Sequence, residues 1–90
     1  MIRLNASVQL RDSANHAELH DLLTRLCEMS LREKGVVDYN AYESIVYDDR
    51  HVVVATFATR ADFDRHACAA ASLREGVEAI ATLTWEVFDF

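Results

Sequence analysis

Apolar and polar residues alternate from Ile2 to Arg11. Ile2, Leu4, Ala6, Val8 and Leu10 share one side; Arg3, Asn5, Ser7, Gln9 and Arg11 share the other. A period of two predicts a strand. One face should meet a core, and the other should face water or a polar cavity. Asp12 to Asn15 supply a turn, and Asn15 with Glu18 three residues on predicts a capping box. Leu19, Leu22, Leu23, Leu26, Cys27 and Ser30 then recur at helical spacing. Glu28, Arg32, Glu33 and Lys34 give that helix a charged outer side. Lys34 and Gly35 mark its end, because glycine accepts the left-handed conformation that stops a helix.

Val36 to Val46 reads as a second strand, Tyr47 to Arg50 as a turn, and His51 to Ala58 as a third strand. The unbroken run Val52-Val53-Val54 predicts burial on both faces. Thr59 with Asp62 forms another capping box, and Phe63, His66, Ala67 and Ala70 would line one stripe of the helix behind it. Ser72 with Glu75 predicts that the helical region restarts and runs to Ala81. Gly76 inside it costs about 1 kcal/mol against alanine, which a close packing contact would explain. Thr82 to Phe90 is the last strand. The order β-α-β-β-α-β predicts an α+β, ferredoxin-like fold. Right-handed crossovers place both helices on one face of a four-stranded antiparallel sheet. The other face is left bare, which predicts a homodimer built sheet to sheet.

Ninety residues suit one domain, residues 1–90. A chain this short buries only about 60–65% of its unfolded surface. Its 51% apolar content therefore points to a second surface covered by a partner. A net charge of −6 without a basic patch argues against nucleic acid and anionic membranes. No apolar run is long enough to span a bilayer, and the N-terminus has no signal-peptide core. Cys27 and Cys68 form no CxxC pair, so a reducing compartment, the cytoplasm, is expected.

Three stretches carry a family resemblance. They are IRLNASVQL with its central asparagine, SLREKGVVDYNAYES with a helix end, Gly35 and Tyr39, and HVVVATFATRADFDRH with a strand and a helix carrying His66. In this order and spacing the chain resembles the antibiotic biosynthesis monooxygenase family, whose members are dimeric α+β barrels. The resemblance implies a cavity between sheet and helices that takes a small aromatic phenol or quinol. It also implies oxygen chemistry with no metal and no flavin, so no cofactor is expected. Relatives carry Glu-x-Trp at the end of the third strand, where this chain has Ala55-Thr56-Phe57, and a serine where it has Ala69.

Under that resemblance Asn5 would hold a substrate oxyanion and His66 would accept the phenolic proton. Tyr39, Phe57 and Phe63 would bind substrate. Read by themselves, the same residues fit a polar strand face, a core histidine and core aromatics. Two further functions suit the pattern: a proton-transfer enzyme that needs no oxygen, such as an isomerase, and a non-catalytic module binding a small ligand. His51 begins its strand, so an exposed rim position is expected. Trp85, the single tryptophan, would pack at the dimer interface or wall the pocket. His16 and His20 have a spacing that can bind zinc. No third ligand is evident in the sequence, so no metal site is expected. Cys27 and Cys68 are expected to be small buried apolar residues.

Overall fold

The alternating N-terminal run forms β1 (Ile2–Leu10), with every even-numbered residue buried. A computed structural model describes residues 1–90. After β1 come a single 3₁₀ turn at Ser13–Asn15, α1 (His16–Leu31), β2 (Val36–Glu43) and β3 (Arg50–Phe57). Then follow α2 (Arg60–Ala69), α3 (Ala71–Ile80) and β4 (Ala81–Asp89). The strands make one antiparallel sheet in the order β2-β3-β1-β4. This is the α+β ferredoxin-like arrangement, with the helices on one face.

Register fixes which side chains meet the helices. Ile2 pairs with Phe57, Leu4 with Ala55, Ala6 with Val53 and Val8 with His51. All eight are buried. Against them pack Leu19, Leu23 and Leu26 of α1, Phe63 of α2 and Val77 of α3. Burying such side chains contributes roughly 1.5–3 kcal/mol each. The opposite face carries the rows Asn40–Val54–Asn5–Glu86 and Asp38–Thr56–Arg3–Phe88. No layer of this chain covers it. Val52 and Val54 are therefore only half-buried, not enclosed on both faces as the valine run predicts.

Gly35 has φ +85°, and a Cβ there would lie 2.1 Å from Asp62 Cγ. Only glycine permits both the left-handed turn and this close approach. Asp62 belongs to the cap of α2: its N–H donates to Thr59 Oγ1 at 3.1 Å, and the Thr59 hydroxyl donates back to Asp62 Oδ2 at 2.8 Å. The predicted box at Thr59 is thus present, and it is locked against the end of the first crossover. Gly76 also has its reason, since a Cβ there would stand 3.2 Å from Leu22 Cδ2. It lets α3 lie close on α1.

Four local expectations are corrected. Asn15 makes no side-chain cap; Asp12 accepts from the Ala14 N–H at 2.9 Å and starts a 3₁₀ turn instead. β2 stops at Glu43, because Ser44 Oγ accepts from the N–H groups of Val46 and Tyr47 and turns the chain. The restart after α2 comes at Ala70, whose N–H bonds the His66 carbonyl at 2.8 Å. Ser72 caps nothing. α3 ends at Ile80, so the last strand begins one residue early, at Ala81. No helix is long and apolar enough to cross a membrane.

Candidate active site

Phe63 and His66 lie one turn apart on α2 and both face the sheet, since i and i+3 share a helix side. His66 is buried. Its ring packs 5.0 Å from the Phe57 ring and 5.3 Å from the Tyr39 ring, and Phe63 meets Phe57 edge-on at 5.3 Å. His66 Nδ1 is 3.2 Å from Glu33 Oε1. Glu33 reaches it from the turn after α1, which the Gly35–Asp62 contact holds against α2. A carboxylate on one ring nitrogen fixes the tautomer and leaves Nε2 as the acceptor.

Beside His66 is a cavity of about 60 Å³, walled chiefly by Leu4, Ala6, Tyr39, Phe63 and Val77. Arg74 and Trp85 also line it. Trp85 is 47% exposed, so this wall has no further layer of the chain outside it. An apolar cavity that takes up benzene measures about 150 Å³. An aromatic ring would therefore enter this one only if the wall gave way.

Burial pushes the Tyr39 phenol up to about 12, with the charges of Cys27 and Glu33 adding to it. Tyr39 thus keeps its proton and has a hydroxyl hydrogen to donate. The Thr59 hydroxyl, and then Arg65, hold the Asp62 carboxyl below the usual carboxylate range.

Of the residues singled out in the sequence, the structure groups Tyr39, Phe57, Phe63 and His66. Phe57 backs the imidazole without reaching the cavity surface. Asn5 is not in this group. It is exposed on the open face, so within one chain the sheet separates it from His66. The alternation of β1 already implies this: Asn5 has the parity opposite to the core residues. Glu33 is the residue that sequence reading missed. The charged residues around it place it on an outer surface, and only its position two residues before a closely packed glycine signals otherwise.

His51 is 7% exposed, not a rim residue; the His16 ring packs on it at 5.6 Å. Burial pushes it below the ordinary imidazole range. His16 Nε2 lies 2.7 Å from Glu43 Oε1, and that hydrogen bond lowers the Glu43 carboxyl. Cys68 is exposed and Cys27 half-buried, so neither is the fully buried small apolar residue expected.

The family model described as antibiotic biosynthesis monooxygenase matches residues 1–75. No curated protein matches the chain. Among solved structures, a conserved protein of unknown function from Bacteroides thetaiotaomicron, described as a possible oxidoreductase, is 25% identical with a TM-score of 0.92. That match covers 99% of this chain and 96% of the other. SnoaB, a cofactor-independent oxygenase from Streptomyces nogalater, is 15% identical with a TM-score of 0.86, covering 99% and 91%. A conserved protein from Methanosarcina mazei is 18% identical with a TM-score of 0.88, covering 97% and 89%. At these last two identities the likeness is one of fold.

Proposed function

The chain belongs to the antibiotic biosynthesis monooxygenase family, and from that premise we propose that it is a cofactor-independent monooxygenase acting on a small phenol or quinol. The observation that carries this reading is buried His66 at the wall of an apolar cavity, with the half-buried Glu33 carboxylate on its Nδ1. In it, His66 Nε2 accepts the phenolic proton, and the Glu33 carboxylate steadies the imidazolium that results. Tyr39, protonated throughout, donates to the substrate oxyanion. Phe63 holds the ring of the substrate, with Phe57 behind the imidazole. The deprotonated substrate itself supplies the electrons to oxygen. SnoaB, described as a cofactor-independent oxygenase, has the same fold, which supports the assignment. Asn5 takes no part within the chain that holds His66. It belongs to the open face, where Phe88 and Tyr42 are exposed and where a second copy would pair sheet to sheet. The single domain works in the cytoplasm in this reading.

Oxygen uptake with a panel of hydroquinones and anthrones tests the reaction. His66→Gln should lower the rate about 100-fold or more. Equal rates for the variant and the parent protein would remove His66 from the mechanism. Light scattering tests the pairing, and a monomeric mass at micromolar concentration would end it.

The 60 Å³ cavity favours a second reading, a non-catalytic module for a ligand smaller than an aromatic ring. Native mass spectrometry of the purified protein distinguishes the two by the mass of any retained ligand. Turnover that persists without oxygen would instead select a proton-transfer enzyme using the same histidine.

A further inference from the structure

A separate polar cluster lies at the other end of β3. Glu43 and His51 are directly opposite each other at the last rung of the β2–β3 ladder. Side chains so paired start about 5 Å apart. His16, the first residue of α1, stands over that rung. Its Nε2 is 2.7 Å from Glu43 Oε1, and its ring lies 5.6 Å from that of His51. One ligand-type atom from each of the three residues lies within 4.8 Å of the other two. His51 is more than nine-tenths buried, yet neither of its ring nitrogens has a hydrogen-bond partner in the protein. Burying unpaired polar nitrogens is unfavourable. An orphaned imidazole facing an imidazole–carboxylate pair makes physical sense if all three share a cation.

We propose that His16, Glu43 and His51 bind one first-row divalent transition metal ion. Two imidazoles and a carboxylate suit zinc, cobalt, nickel or copper; magnesium and calcium prefer oxygen ligands throughout. Ligands on a tetrahedral zinc, at about 2.0–2.2 Å from it, stand about 3.4 Å from one another. The 2.7 Å His16–Glu43 pair must therefore open by roughly 0.7 Å around the metal, while His51 stays within the 4.8 Å that bounds the cluster. His16 and Glu43, with side chains 41% and 52% exposed, are free to move. His51 is the fixed point. Binding replaces the His16–Glu43 hydrogen bond. A groove of about 380 Å³ adjoins the cluster, lined by Glu43, His51, His20, Cys27 and Thr24. The remaining coordination positions open onto it. His20, one turn along α1 from His16, lines that groove without being one of the three ligands. The site is independent of His66 and of any oxygen chemistry there.

The test is calorimetric titration of tag-free full-length protein with Zn²⁺, and with Co²⁺ for its visible spectrum. One ion should bind per chain. At about a hundred times the Kd of Zn²⁺, Tm should rise by on the order of 10 °C. His16→Ala and Glu43→Gln alter exposed side chains and should leave the fold intact by circular dichroism. Each should weaken binding at least about tenfold, while His20→Ala should change it less than about threefold. The proposal is overturned if no ion binds at micromolar protein, or if the His16→Ala/Glu43→Gln double variant binds as the parent does. Loss of binding in His20→Ala with retention in His16→Ala would also overturn it.

Discussion

At one end of β3 a buried histidine has a carboxylate on its Nδ1; at the other a buried histidine has no protein partner at all. His66 is backed by Phe57, flanked by Tyr39 and oriented by Glu33. His51 lies under the exposed pair His16–Glu43, with both nitrogens unpaired. The two imidazoles are held on the same face of one sheet, some four to six residues apart along β3, yet their surroundings prepare them for different work. A partnered ring has a defined tautomer and one free acceptor, which suits proton transfer. An orphaned ring beside another imidazole and a carboxylate gains most from a shared cation. The supports differ too. Glu33 is kept in place by the glycine turn wedged against Asp62, while Glu43 and His16 keep the freedom of a sheet end and a helix start.

The largest effect should come from removing that wedge. Gly35→Ala forces a side chain into a left-handed backbone and displaces Asp62 from the α2 cap. It should cost about 2–4 kcal/mol in urea denaturation; a loss below about 0.5 kcal/mol would mean that the turn does not anchor the His66 end. Next, paired leucine substitutions should move stability in opposite directions in metal-free buffer. His66→Leu strips Glu33, whose side chain is 19% exposed, of its partner and should cost about 1–3 kcal/mol. His51→Leu removes two unpaired buried nitrogens and should gain about 1 kcal/mol. Shifts of the same sign in both denaturation midpoints would erase the distinction between the two histidines. A smaller change is expected for Glu33→Gln, which keeps an acceptor but loses the charge. Oxygen uptake should slow about tenfold, and an unaltered rate would show that Glu33 serves packing alone.

The mildest test is invisible at neutral pH. The Tyr39 phenol rises from 10.0 to about 12 on folding, so between these values the folded chain binds the extra proton. Stability from this group is complete below about pH 10 and is lost as pH rises towards 12. Tyr39→Phe should flatten that alkaline slope in a pH series of unfolding curves. An unchanged slope would assign the alkaline transition elsewhere.

Much of the fold was legible because its determinants are local. The alternation of β1, the glycine stop at Gly35 and the Thr59–Asp62 box all act within a few residues. The inner and outer faces follow from strand parity, and with them the separation of Asn5 from His66. Less was legible where two local solutions compete. Asp12 and Asn15 both suit a helix start, and the short 3₁₀ turn decides between them. The two histidine clusters were the least legible. Glu33 meets His66 across 33 residues, and His16 meets Glu43 across 27. Such meetings depend on sheet register and on where α1 lies, which no spacing motif encodes. The i, i+4 spacing of His16 and His20 points along the helix, while the structure sets His16 beside the strand pair Glu43 and His51.

The two cysteines add a chemical handle to this division, one on the outer side of the helix that carries His66 and one in the groove that His51 lines. Cys68 is exposed, two residues after His66 on the same helix. Cys27 is half-buried in the groove beside His51, and burial raises its thiol above the ordinary value. The thiolate is the reactive form, so one equivalent of a maleimide dye should attach to Cys68 first, as peptide mass mapping would show. The unaltered chain thus offers a place for a fluorescent reporter on the outer side of the helix that carries His66, while the thiol in the groove beside His51 stays unlabelled.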